Sequence, residues 1–537
     1  MTGIKIYSIG LLCGWFWVFS SGLLIGNTYA KDSELDQKPP NIVIILADDM
    51  GFSDLGSYGG EIKTPNIDKL ANNGLRFTQF YNTSRCWPTR TSMLTGYYYQ
   101  QVRDSDGNGP SWAKLLPHYL DRAGYRSYHS GKWHIRTASK PVADGGFDHS
   151  HWLRDHNRYF YPETHYRDDD LQPPIEPNSD YYTTTDYTDY AIEFLQDHEA
   201  NYKNNPFFLY LAYTAPHFPL QAPQEDIKQY EGQYMVGWDS IRTERWKRLK
   251  KMGISDNPLP QLEPDVTPYY LNTGIFNALG PGEIEHAVPW KNLTEQQKRF
   301  QAKKMSIHAA MISRMDHEVG RLVGKLKSMG ELENTIIFFL SDNGADATIM
   351  IRGEGHDREA AMGSGETFLC LGPGWSSSSN TPFRRHKMWV HEGGIATPLI
   401  VHWPDGIKSK GELHNTPGHV IDLVPTILDL AGIENTNFES SKSQKPKLPG
   451  KSLIPVFENA QTINRDNIFF NHANHRAVRV DNWKLLSAPG NQWELYNLAI
   501  DRGETYNIAK LKPSLVDSMA TLWNKLQEKF RKQAKQP

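Results

Sequence analysis

The chain has 537 residues, of which 58 are basic and 61 acidic, so its formal charge at pH 7 is only -3. This length allows one large core or several smaller domains, and the composition is that of an ordinary globular protein. Because the sequence contains no block of like charge typical of a nucleic-acid-binding tail, we expect no nucleic-acid partner.

The first thirty residues have the pattern of an export signal. Lys5 precedes an apolar run over residues 6–25, and Thr28-Tyr29-Ala30 offers a small-residue cleavage site. We therefore predict a signal peptide over residues 1–30 and an exported protein, periplasmic or secreted, with no stable membrane partner. Two alternatives stay open, because the apolar run is long enough for a retained anchor and Cys13 stands in an imperfect lipoprotein-like context.

The cysteine content excludes a disulfide scaffold. The chain has three cysteines, and only Cys86 and Cys370 remain once residues 1–30 are removed. An exported protein of this size with two cysteines is stabilised by packing and not by disulfides. We expect Cys370 to be buried and inert.

Four continuous apolar runs are typical of buried strands. They span residues 41–47, 206–213, 334–340 and 397–402. Helical patterns lie between them, at residues 65–73, 112–123 and 303–329. The alternation predicts an α/β fold with a large mixed, mostly parallel sheet sandwiched by helices, and ligands in such folds collect at the carboxyl ends of the strands.

The pattern changes after residue 455. Short strand-like runs follow one another at residues 467–470, 477–480, 484–486 and 494–498, and an amphipathic helix is predicted over residues 512–532. We predict a catalytic domain over residues 31–455 and a smaller C-terminal α+β subdomain over residues 456–537, with a small antiparallel sheet and a terminal helix. Two segments rich in Tyr, Pro and Asp, residues 159–190 and 232–292, are predicted to be irregular insertions that carry substrate contacts.

One cysteine stands where a helix is predicted to begin. Cys86-Trp-Pro-Thr-Arg90 opens a helix that runs to Thr95 and ends at Gly96, with Pro88 in the first turn, where its missing N–H costs little. A helix start carries positive potential, and Arg90 projects on the same face as Cys86, so the position favours an anion. A buried structural cysteine is the ordinary alternative for this pentapeptide alone.

Two acidic pairs follow predicted strands. Asp48-Asp49 come directly after the first apolar run, and Asp342-Asn343 follow the third. Carboxylate and amide oxygens suit a hard cation such as calcium or magnesium, whereas zinc prefers His or Cys. Either pair alone is an ordinary turn or cap sequence, but the two together at strand ends predict a metal site.

Basic and histidine residues complete the set. Lys132 and His134 follow a strand predicted over residues 125–129, and in an extended segment residues two apart point to the same side. His217 follows the second apolar run, and Lys387 precedes His391-Glu-Gly-Gly. Taken singly, each of these would be an ordinary surface polar residue.

Together these motifs resemble the type I sulfatases, formylglycine-dependent enzymes of the arylsulfatase kind within the alkaline phosphatase superfamily. Cys-x-Pro-x-Arg at residues 86–90, followed by Leu94-Thr95-Gly96, resembles the signature read by enzymes that oxidise cysteine to formylglycine. The other blocks occur in the family's order over nearly the whole chain after residue 30. They are Asp48-Asp49, Gly131–His134, Pro216-His217, Ser341–Gly344, and Lys387 with His391–Gly394.

The resemblance implies a cofactor and a partner. One calcium ion is implied, held by Asp48, Asp49, Asp342, Asn343 and the oxidised side chain of Cys86. A formylglycine-generating enzyme is the implied partner. Thr89 departs from the family pattern, in which serine is more usual, and this puts the rate of maturation in doubt.

The resemblance also implies a reaction. Hydrated formylglycine is a geminal diol, of which one oxygen, relieved of its proton with help from Asp342, attacks sulfur and forms a covalent sulfo-enzyme. His217 or Lys387 protonates the departing alcohol, and His134, which hydrogen-bonds the hydroxyls, then takes the second proton so that sulfate is expelled. Lys132 contacts the sulfate. The positive charge that neutralises the sulfate is implied to come from the metal, Arg90, Lys132 and Lys387.

The substrate is less well specified than the reaction. We expect a sulfated small molecule or glycan: aryl sulfates in the test tube, and a sulfated carbohydrate in nature because aromatic faces stack on sugar rings. Arg384 and His391 are candidate substrate contacts because they lie near Lys387 in sequence. Two alternatives stay open: a phosphonate or phosphodiester hydrolase on the same fold, and an inactive sulfated-glycan-binding protein.

Overall fold

The fold is organised around one fully buried strand, β1 (Asn41–Ala47). The computed structural model describes residues 38–103, 112–154, 158–177, 179–352, 355–433, 445–459 and 462–535. The predicted signal peptide over residues 1–30 lies outside this part of the chain. No helix among the described residues is long and apolar enough to cross a membrane.

Within the described residues, eleven strands form the main sheet. After β1 they are β2 (Leu75–Tyr81), β3 (Arg126–Gly131), β4 (His149–Leu153), β5 (His165–Arg167), β6 (Asp170–Leu171), β7 (Phe207–Ala212), β8 (Thr335–Ser341), β9 (Ala396–His402), β10 (Glu412–His414) and β11 (Gly418–His419). Their order is β10-β2-β9-β8-β1-β7-β3-β4-β5-β6, with β11 also paired to β2. Strands β8, β1, β7, β3 and β4 are parallel neighbours, whereas β9 is antiparallel to both β8 and β2. The predicted mixed, mostly parallel sheet is confirmed.

Helices cover both faces of this sheet. They are α1 (Pro65–Asn72), α2 (Cys86–Thr95), α3 (Pro117–Leu120), α4 (Thr183–Asn201), α5 (Gln224–Lys228), α6 (Gly237–Lys251), α7 (Phe276–Leu279), α8 (Glu295–Ser328), α9 (Gly372–Ser379), α10 (Glu392–Ile395), α11 (Leu423–Leu430) and α12 (Ile454–Phe457). Val43 and Ile45 of β1 pack in the core formed with α1, α4 and α8, and Ile42 and Ile44 pack in the core formed with α2, α11 and α12. Because successive strand residues face opposite sides, a strand covered on both faces has to be apolar throughout.

Two predicted helices differ from the structure, one at its start and the other over most of its length. The helix predicted over residues 303–329 begins earlier, at Glu295, because Thr294 and Gln297 form a capping box in which Gln297 N donates to Thr294 Oγ1 over 3.2 Å. The helix predicted over residues 112–123 is wrong. Only α3 and a 3-10 turn over Asp121–Ala123 form there, because Pro117 has no N–H and starts a helix rather than continuing one.

The two predicted irregular insertions contain more regular structure than expected. Helix α4 begins at Thr183, inside the segment 159–190, and α6 occupies fifteen residues of the segment 232–292. Tyr and Thr residues near the start of α4 are buried, whereas α6 buries Trp238, Ile241 and Leu249. Tertiary packing therefore overrides the turn-forming composition of these segments.

The C-terminal residues build a second sheet. It consists of β12 (Ile468–His472), β13 (His475–Val480), β14 (Trp483–Ser487) and β15 (Glu494–Asn497), paired antiparallel in that order, and is followed by α13 (Pro513–Ala534). Phe469 and Val478 pack with α13, while the alternating residues Phe470 and Ala477 join the core of the main sheet. The predicted small antiparallel sheet and terminal helix are present, and the described residues from Pro39 onward cluster as one compact unit.

Buried ion pairs connect this second sheet to α10. Glu392, the first residue of α10, accepts from Lys484 Nζ over 2.9 Å and from Arg502 Nε over 2.8 Å, and all three side chains are at most 5% exposed. Lys484 also pairs with Glu504 over 2.7 Å. The loop that carries Lys387 and His391 is therefore anchored to residues far along the chain.

Candidate active site

The candidate site lies at one edge of the main sheet. Asp48-Asp49 follow β1, Asp342-Asn343 follow β8, Lys132 follows β3, and His217 stands five residues beyond β7. These four strands are parallel neighbours, so their carboxyl ends meet at the same edge. All six side chains are buried.

Local backbone geometry holds the two acidic pairs together. Asp49 has φ 66°, a left-handed conformation that is uncommon outside glycine and that occurs at functional sites. Its N–H points to Asp342 Oδ1 at 3.4 Å, and Met50 N donates to Ser341 Oγ over 3.1 Å. The turns after β1 and β8 are thus joined across 293 positions of sequence.

A close backbone approach brings in the loop of Lys387. Gly344 N donates to Gly394 O over 3.1 Å, and a Cβ atom on Gly344 would lie 1.8 Å from Gly393 O. Only glycine fits this contact. Lys387 N donates to Ala345 O over 3.1 Å, which places the Lys387 side chain beside the turn after β8.

Cys86 is the first residue of α2 and is 3% exposed. Its Sγ atom, a carboxylate oxygen of Asp48 and a carboxylate oxygen of Asp342 all lie within 4.8 Å of one another. Burial raises the pKa of the Cys86 thiol even though Lys132 and Lys387 act in the opposite direction. An unmodified Cys86 is therefore a protonated thiol at neutral pH and a poor nucleophile.

Arg90 is fully buried between the acidic residues. Its Nε and Nη2 donate to Asp342 Oδ2 over 3.0 and 2.9 Å, and Nη1 donates to Lys132 O over 2.7 Å. Nη2 also lies 3.5 Å from Asp48 Oδ2. The guanidinium is 0% exposed, so it acts directly on the carboxylates, and its effect on an incoming anion is exerted through them.

Two lysines face the acidic pair after β1. Lys132 Nζ contacts Asp48 Oδ2, and Lys387 Nζ donates to both carboxylate oxygens of Asp49 over 2.7 and 2.9 Å. Asp346, which the sequence analysis did not single out, lies 3.6 Å from Lys387 Nζ. Burial disfavours the Lys387 ammonium, but Asp49 and Asp346 outweigh this and hold its pKa well above the usual range.

The acidic residues differ in pKa because their neighbours differ. Burial alone would raise the pKa of Asp48, but Lys132, His217 and Arg90 together hold it well below the usual value. Burial raises the pKa of Asp342 to about 6, with the Asp48 charge adding to it and Arg90 opposing it. Burial also raises the pKa of Asp49 to about 7, against the opposing charge of Lys387. Burial, reinforced by neighbouring carboxylates, makes Asp49 and Asp342 resist ionisation, whereas three basic neighbours keep Asp48 ionised.

The donor set fits a hard divalent cation. Asp48 Oδ1 and Asn343 Oδ1 are buried oxygens that have no hydrogen-bond donor among the described residues. Asn343 Nδ2 donates to Asp49 Oδ1 over 2.6 Å, which leaves its Oδ1 atom as an available acceptor. Buried oxygens without donors are costly unless something binds them, and a cation would satisfy both.

The two histidines occupy different settings. His217 Nδ1 lies 2.5 Å from Phe218 O, so this nitrogen carries the proton, and Nε2 lies 3.7 Å from Asp49 Oδ2. His134 is only half-buried and has φ 50°. This left-handed residue lies beyond Gly131, the last residue of β3, so the extended geometry on which the Lys132–His134 prediction was based does not continue through His134.

The two candidate substrate residues are held by other acids. Arg384 donates to Glu263 over 2.6 Å and contacts Glu504 O, and Arg385 shares the same Glu263 carboxylate. His391 is 1% exposed and lies 3.9 Å from Glu494, and burial lowers its pKa to about 3. Arg384 is therefore paired with an acid outside the cluster around Cys86, and the acid that the neutral His391 approaches, Glu494, also lies outside it.

Two further observations concern residues that the sequence pattern did not select. Asp346 carried a usable signal, because it lies three residues after Asn343 in the same turn region.

A cavity of about 600 Å³ lined by residues including Asn415, Arg465 and Asp481 contains none of the predicted site residues. Cavity volume is therefore a poorer guide to this site than the convergence of ionisable groups.

Sequence comparison defines the class of protein to which this fold and site belong. The sequence profile of the Sulfatase family matches residues 40–433, so the chain belongs to the sulfatase family. Its activity is that of a sulfuric ester hydrolase. A second profile, described as N-sulphoglucosamine sulphohydrolase, C-terminal, matches residues 384–535 and covers the C-terminal sheet and α13.

Particular relatives agree with this assignment. An uncharacterized sulfatase of Schizosaccharomyces pombe is 31% identical, with 92% of this chain and 94% of the relative covered. The arylsulfatase of Klebsiella aerogenes is 32% identical, with 81% of this chain and 95% of the relative covered. The crystal structure of Ps i-CgsB in complex with k-i-k-neocarrahexaose has the same fold, with a TM-score of 0.66, 24% identity, and 93% and 95% of the two chains covered.

Proposed function

We propose that this sulfatase hydrolyses a sulfate monoester by means of one bound calcium ion and a formylglycine made from Cys86. The observation that carries the proposal is the position of Cys86 Sγ, which lies within 4.8 Å of carboxylate oxygens from both Asp48 and Asp342. A residue whose side chain lies this close to the metal-binding carboxylates is placed to act on a group bound there.

The calcium ion would be held by four side chains after β1 and β8 together with the oxidised side chain of residue 86. The four are Asp48, Asp49, Asp342 and Asn343. Their donors are all oxygens, which favours calcium or magnesium over zinc. When bound, the cation would stabilise negative charge on the ester sulfate.

The balance of charges in the site favours an anionic substrate once the cation is present. The buried carboxylates of Asp48, Asp49 and Asp342 are matched by three buried cations, Arg90, Lys132 and Lys387. A divalent cation added to this matched set makes the site positive. Because the surroundings exclude water, this surplus acts more strongly on a sulfate than it would at the protein surface.

Arg90 and Lys132 prepare the carboxylates for this task. Arg90 keeps Asp342 oriented through two hydrogen bonds to one oxygen, and Lys132 contacts Asp48. Lys132 and Arg90 both oppose the rise in pKa that burial causes at Asp342. The two basic residues therefore favour the ionised, metal-binding form of the acids.

Lys387 and His217 are the proposed proton donors to the departing alcohol. The raised pKa of Lys387 keeps its ammonium protonated at neutral pH. Because Nδ1 of His217 donates to Phe218 O, His217 can give a proton to the alcohol only from Nε2 of its doubly protonated form, and this atom lies 3.7 Å from Asp49 Oδ2. His134, beyond the end of β3, is proposed as the base of the second step.

Maturation would supply the nucleophile that the buried thiol lacks. A formylglycine provides, in its hydrated form, one hydroxyl for attack and a second for release of the product. Cys86 is buried, and the Thr89 hydroxyl is 2.9 Å from Thr83 Oγ1 and accepts from Thr83 N over 3.1 Å. We therefore infer that the formylglycine-generating partner reads this segment before α2 packs into the core.

The proposed natural substrate is a sulfated carbohydrate, with aryl sulfates as test substrates. The arylsulfatase of Klebsiella aerogenes supports the second part of this proposal, and the neocarrahexaose complex of the similarly folded Ps i-CgsB supports the first. Export to the periplasm or medium, proposed from residues 1–30, would give access to such a polymer. Sequencing of the mature amino terminus tests the export proposal, since it predicts a chain that begins at Lys31 and is contradicted by an intact Met1.

The deciding experiment compares aryl sulfate with aryl phosphodiester. Protein matured in its native host should hydrolyse 4-nitrophenyl sulfate with a higher kcat/KM than bis(4-nitrophenyl) phosphate. Mass spectrometry of the peptide containing residue 86 should show formylglycine, and metal analysis should show calcium. A higher kcat/KM on the phosphodiester would favour the phosphodiesterase alternative, and an unmodified thiol with no turnover would favour the glycan-binding alternative.

A further inference from the structure

Two arginines lie beside Trp87, the residue next to Cys86, and a third lies close enough to interact with them. The guanidinium carbons of Arg103 and Arg136 lie 4.6 and 4.7 Å from the centre of the Trp87 ring. Arg85, on the other side of Cys86 in sequence, lies 5.7 Å from the ring centre of Tyr270. The charges of Arg103 and Arg85, after burial itself, lower the pKa of Arg136, which shows that the three guanidinium groups interact.

These three arginines have no acidic partner among the described residues. Arg85 and Arg103 are half-buried and each has a buried Nε without a hydrogen-bond acceptor, whereas Arg136 is exposed. By contrast, the fully buried Arg245 binds Asp54 and Glu61 over 2.7 Å. Because like charges repel, three neighbouring guanidinium groups without an acidic partner in the described part of the chain favour an external anion.

A buried histidine opens into the same cluster. His472 is 5% exposed, and neither ring nitrogen has a hydrogen-bond partner among the described residues. Its ring centre lies 6.2 Å from that of Trp87. Burial lowers its pKa to about 3, with Arg85, Lys387 and Arg136 acting in the same direction. A neutral His472 keeps one N–H that can donate to an anion, and it lies close enough to Arg85, Arg136 and Lys387 for their charges to act on its ring.

We propose that Arg85, Arg103, Arg136 and His472 form a subsite for a second oxyanion of the substrate. This inference rests on the proposed function and names its substrate class: a saccharide that carries another sulfate or a carboxylate beside the sulfate that is removed. Arginine is suited to this role because its planar fork of donors matches the oxygens of sulfate and carboxylate.

The segment 232–292 contributes an aromatic wall to the same place. Tyr270 faces Arg85, and Tyr269, which is 43% exposed, packs edge-on against Tyr270 with ring centres 4.8 Å apart. A sugar ring that joins the two anionic groups would meet these aromatic side chains. The subsite therefore combines charge for the anion with an apolar surface for the ring.

The test measures inhibition of aryl sulfate hydrolysis, so it works whether or not the saccharides are turned over. We would determine the Ki of three disaccharides that share one backbone: one with a single sulfate, one with two sulfates, and one with a sulfate and a carboxylate. Each is assayed against 4-nitrophenyl sulfate with the wild type, Arg136→Ala, Arg136→Glu and Arg103→Ala. Arg122→Ala is the matched control, because Arg122 is exposed and precedes the amino end of β3, at the opposite edge of the sheet.

The dianionic saccharides should bind the wild type at least about tenfold more tightly than the monosulfated one, the effect of a charge-assisted contact. That advantage should fall about tenfold in Arg136→Ala and Arg103→Ala, reverse in Arg136→Glu, shrink with added salt, and persist in Arg122→Ala. An advantage for both dianionic saccharides indicates a general oxyanion subsite, and an advantage for the disulfated one alone indicates a sulfate subsite.

Equal Ki values for all three saccharides, or an advantage that survives in Arg136→Glu, would overturn the subsite while aryl sulfate turnover leaves the proposed function intact. Absence of turnover on 4-nitrophenyl sulfate by matured wild type would instead remove the proposed function itself. Circular dichroism of each variant separates a loss of fold from a loss of binding. The exposed position of Arg136 makes it the variant that depends least on that check.

Discussion

Removal of the divalent cation should change the pH dependence of stability in a defined way. Burial raises the pKa of Asp49 from 3.8 to about 7 and that of Asp342 from 3.8 to about 6. Between these values and the ordinary one, the folded protein binds more protons than the unfolded chain. The contribution of Asp49 and Asp342 to the stability of the metal-free protein is therefore fully present below pH 4 and is lost as the pH rises through about 6 to 7.

The magnitude follows from the shifts. At about 1.4 kcal/mol for each pKa unit, Asp49 costs the metal-free fold on the order of 4 kcal/mol and Asp342 roughly 3 kcal/mol above pH 7. A bound cation reverses this cost, because it takes up the ionised carboxylates and displaces their protons. The stabilisation that calcium provides should thus grow between pH 5 and pH 8.

Calorimetric titration of calcium into chelator-treated protein is the direct assay. Repeating the titration in two buffers of different ionisation enthalpy gives the number of protons released, which should be roughly one to two at pH 6 and near zero at pH 8.5. Asp49→Asn should lose the larger part of this release, whereas the control Asp121→Asn, at an exposed position before β3, should keep it. Binding without proton release at pH 6 would refute the assignment of these acids to the metal.

Three further outcomes can be checked with single substitutions. Cys86→Ala should reduce kcat by at least about 10⁴-fold, since a nucleophile is lost. The Tm should move by only about 1–2 °C, because a single buried sulfur is removed. A large fall in Tm would instead assign Cys86 to the core. Arg90→Met leaves Asp342 buried without its partner and should cost about 3–5 kcal/mol of unfolding free energy in urea titrations. Lys484→Met should cost a similar amount by leaving Glu392 and Glu504 short of a cation, and an unchanged urea midpoint would contradict the buried-pair argument.

Much of the fold could be predicted because its signals are local. The run from Ile42 to Ala47 is apolar throughout since the strand is covered on both faces. The segment 112–123 failed for an equally physical reason, because its helical periodicity ignored Pro117. Helix α4 was missed at its start because Tyr and Thr are weak helix formers whose burial only the tertiary fold reveals.

The site could be predicted as a set of residues but not as a set of contacts. Strand ends identified Asp48 and Asp342 because parallel strands deliver their carboxyl ends to one edge. Arg90 donates hydrogen bonds to Asp342, which lies 252 residues away in sequence. Nothing in the sequence around either residue predicts this contact. The left-handed backbone of His134 depends in the same way on the surrounding structure, and proximity in sequence to Lys387 gave no information about the partners of Arg384 or His391.

The pairing of Glu392 with Lys484 and Arg502 has a consequence for recombining this protein with its relatives. The family profile ends at residue 433, which invites exchange of everything that follows as a separable module. However, Glu392, the acid that pairs with Lys484 of the second sheet, is the first residue of α10 and directly follows His391. A chimera should therefore be active only when one parent supplies an acid at the position of Glu392 and the other supplies bases at the positions of Lys484 and Arg502. The two parts of the chain have to be exchanged together.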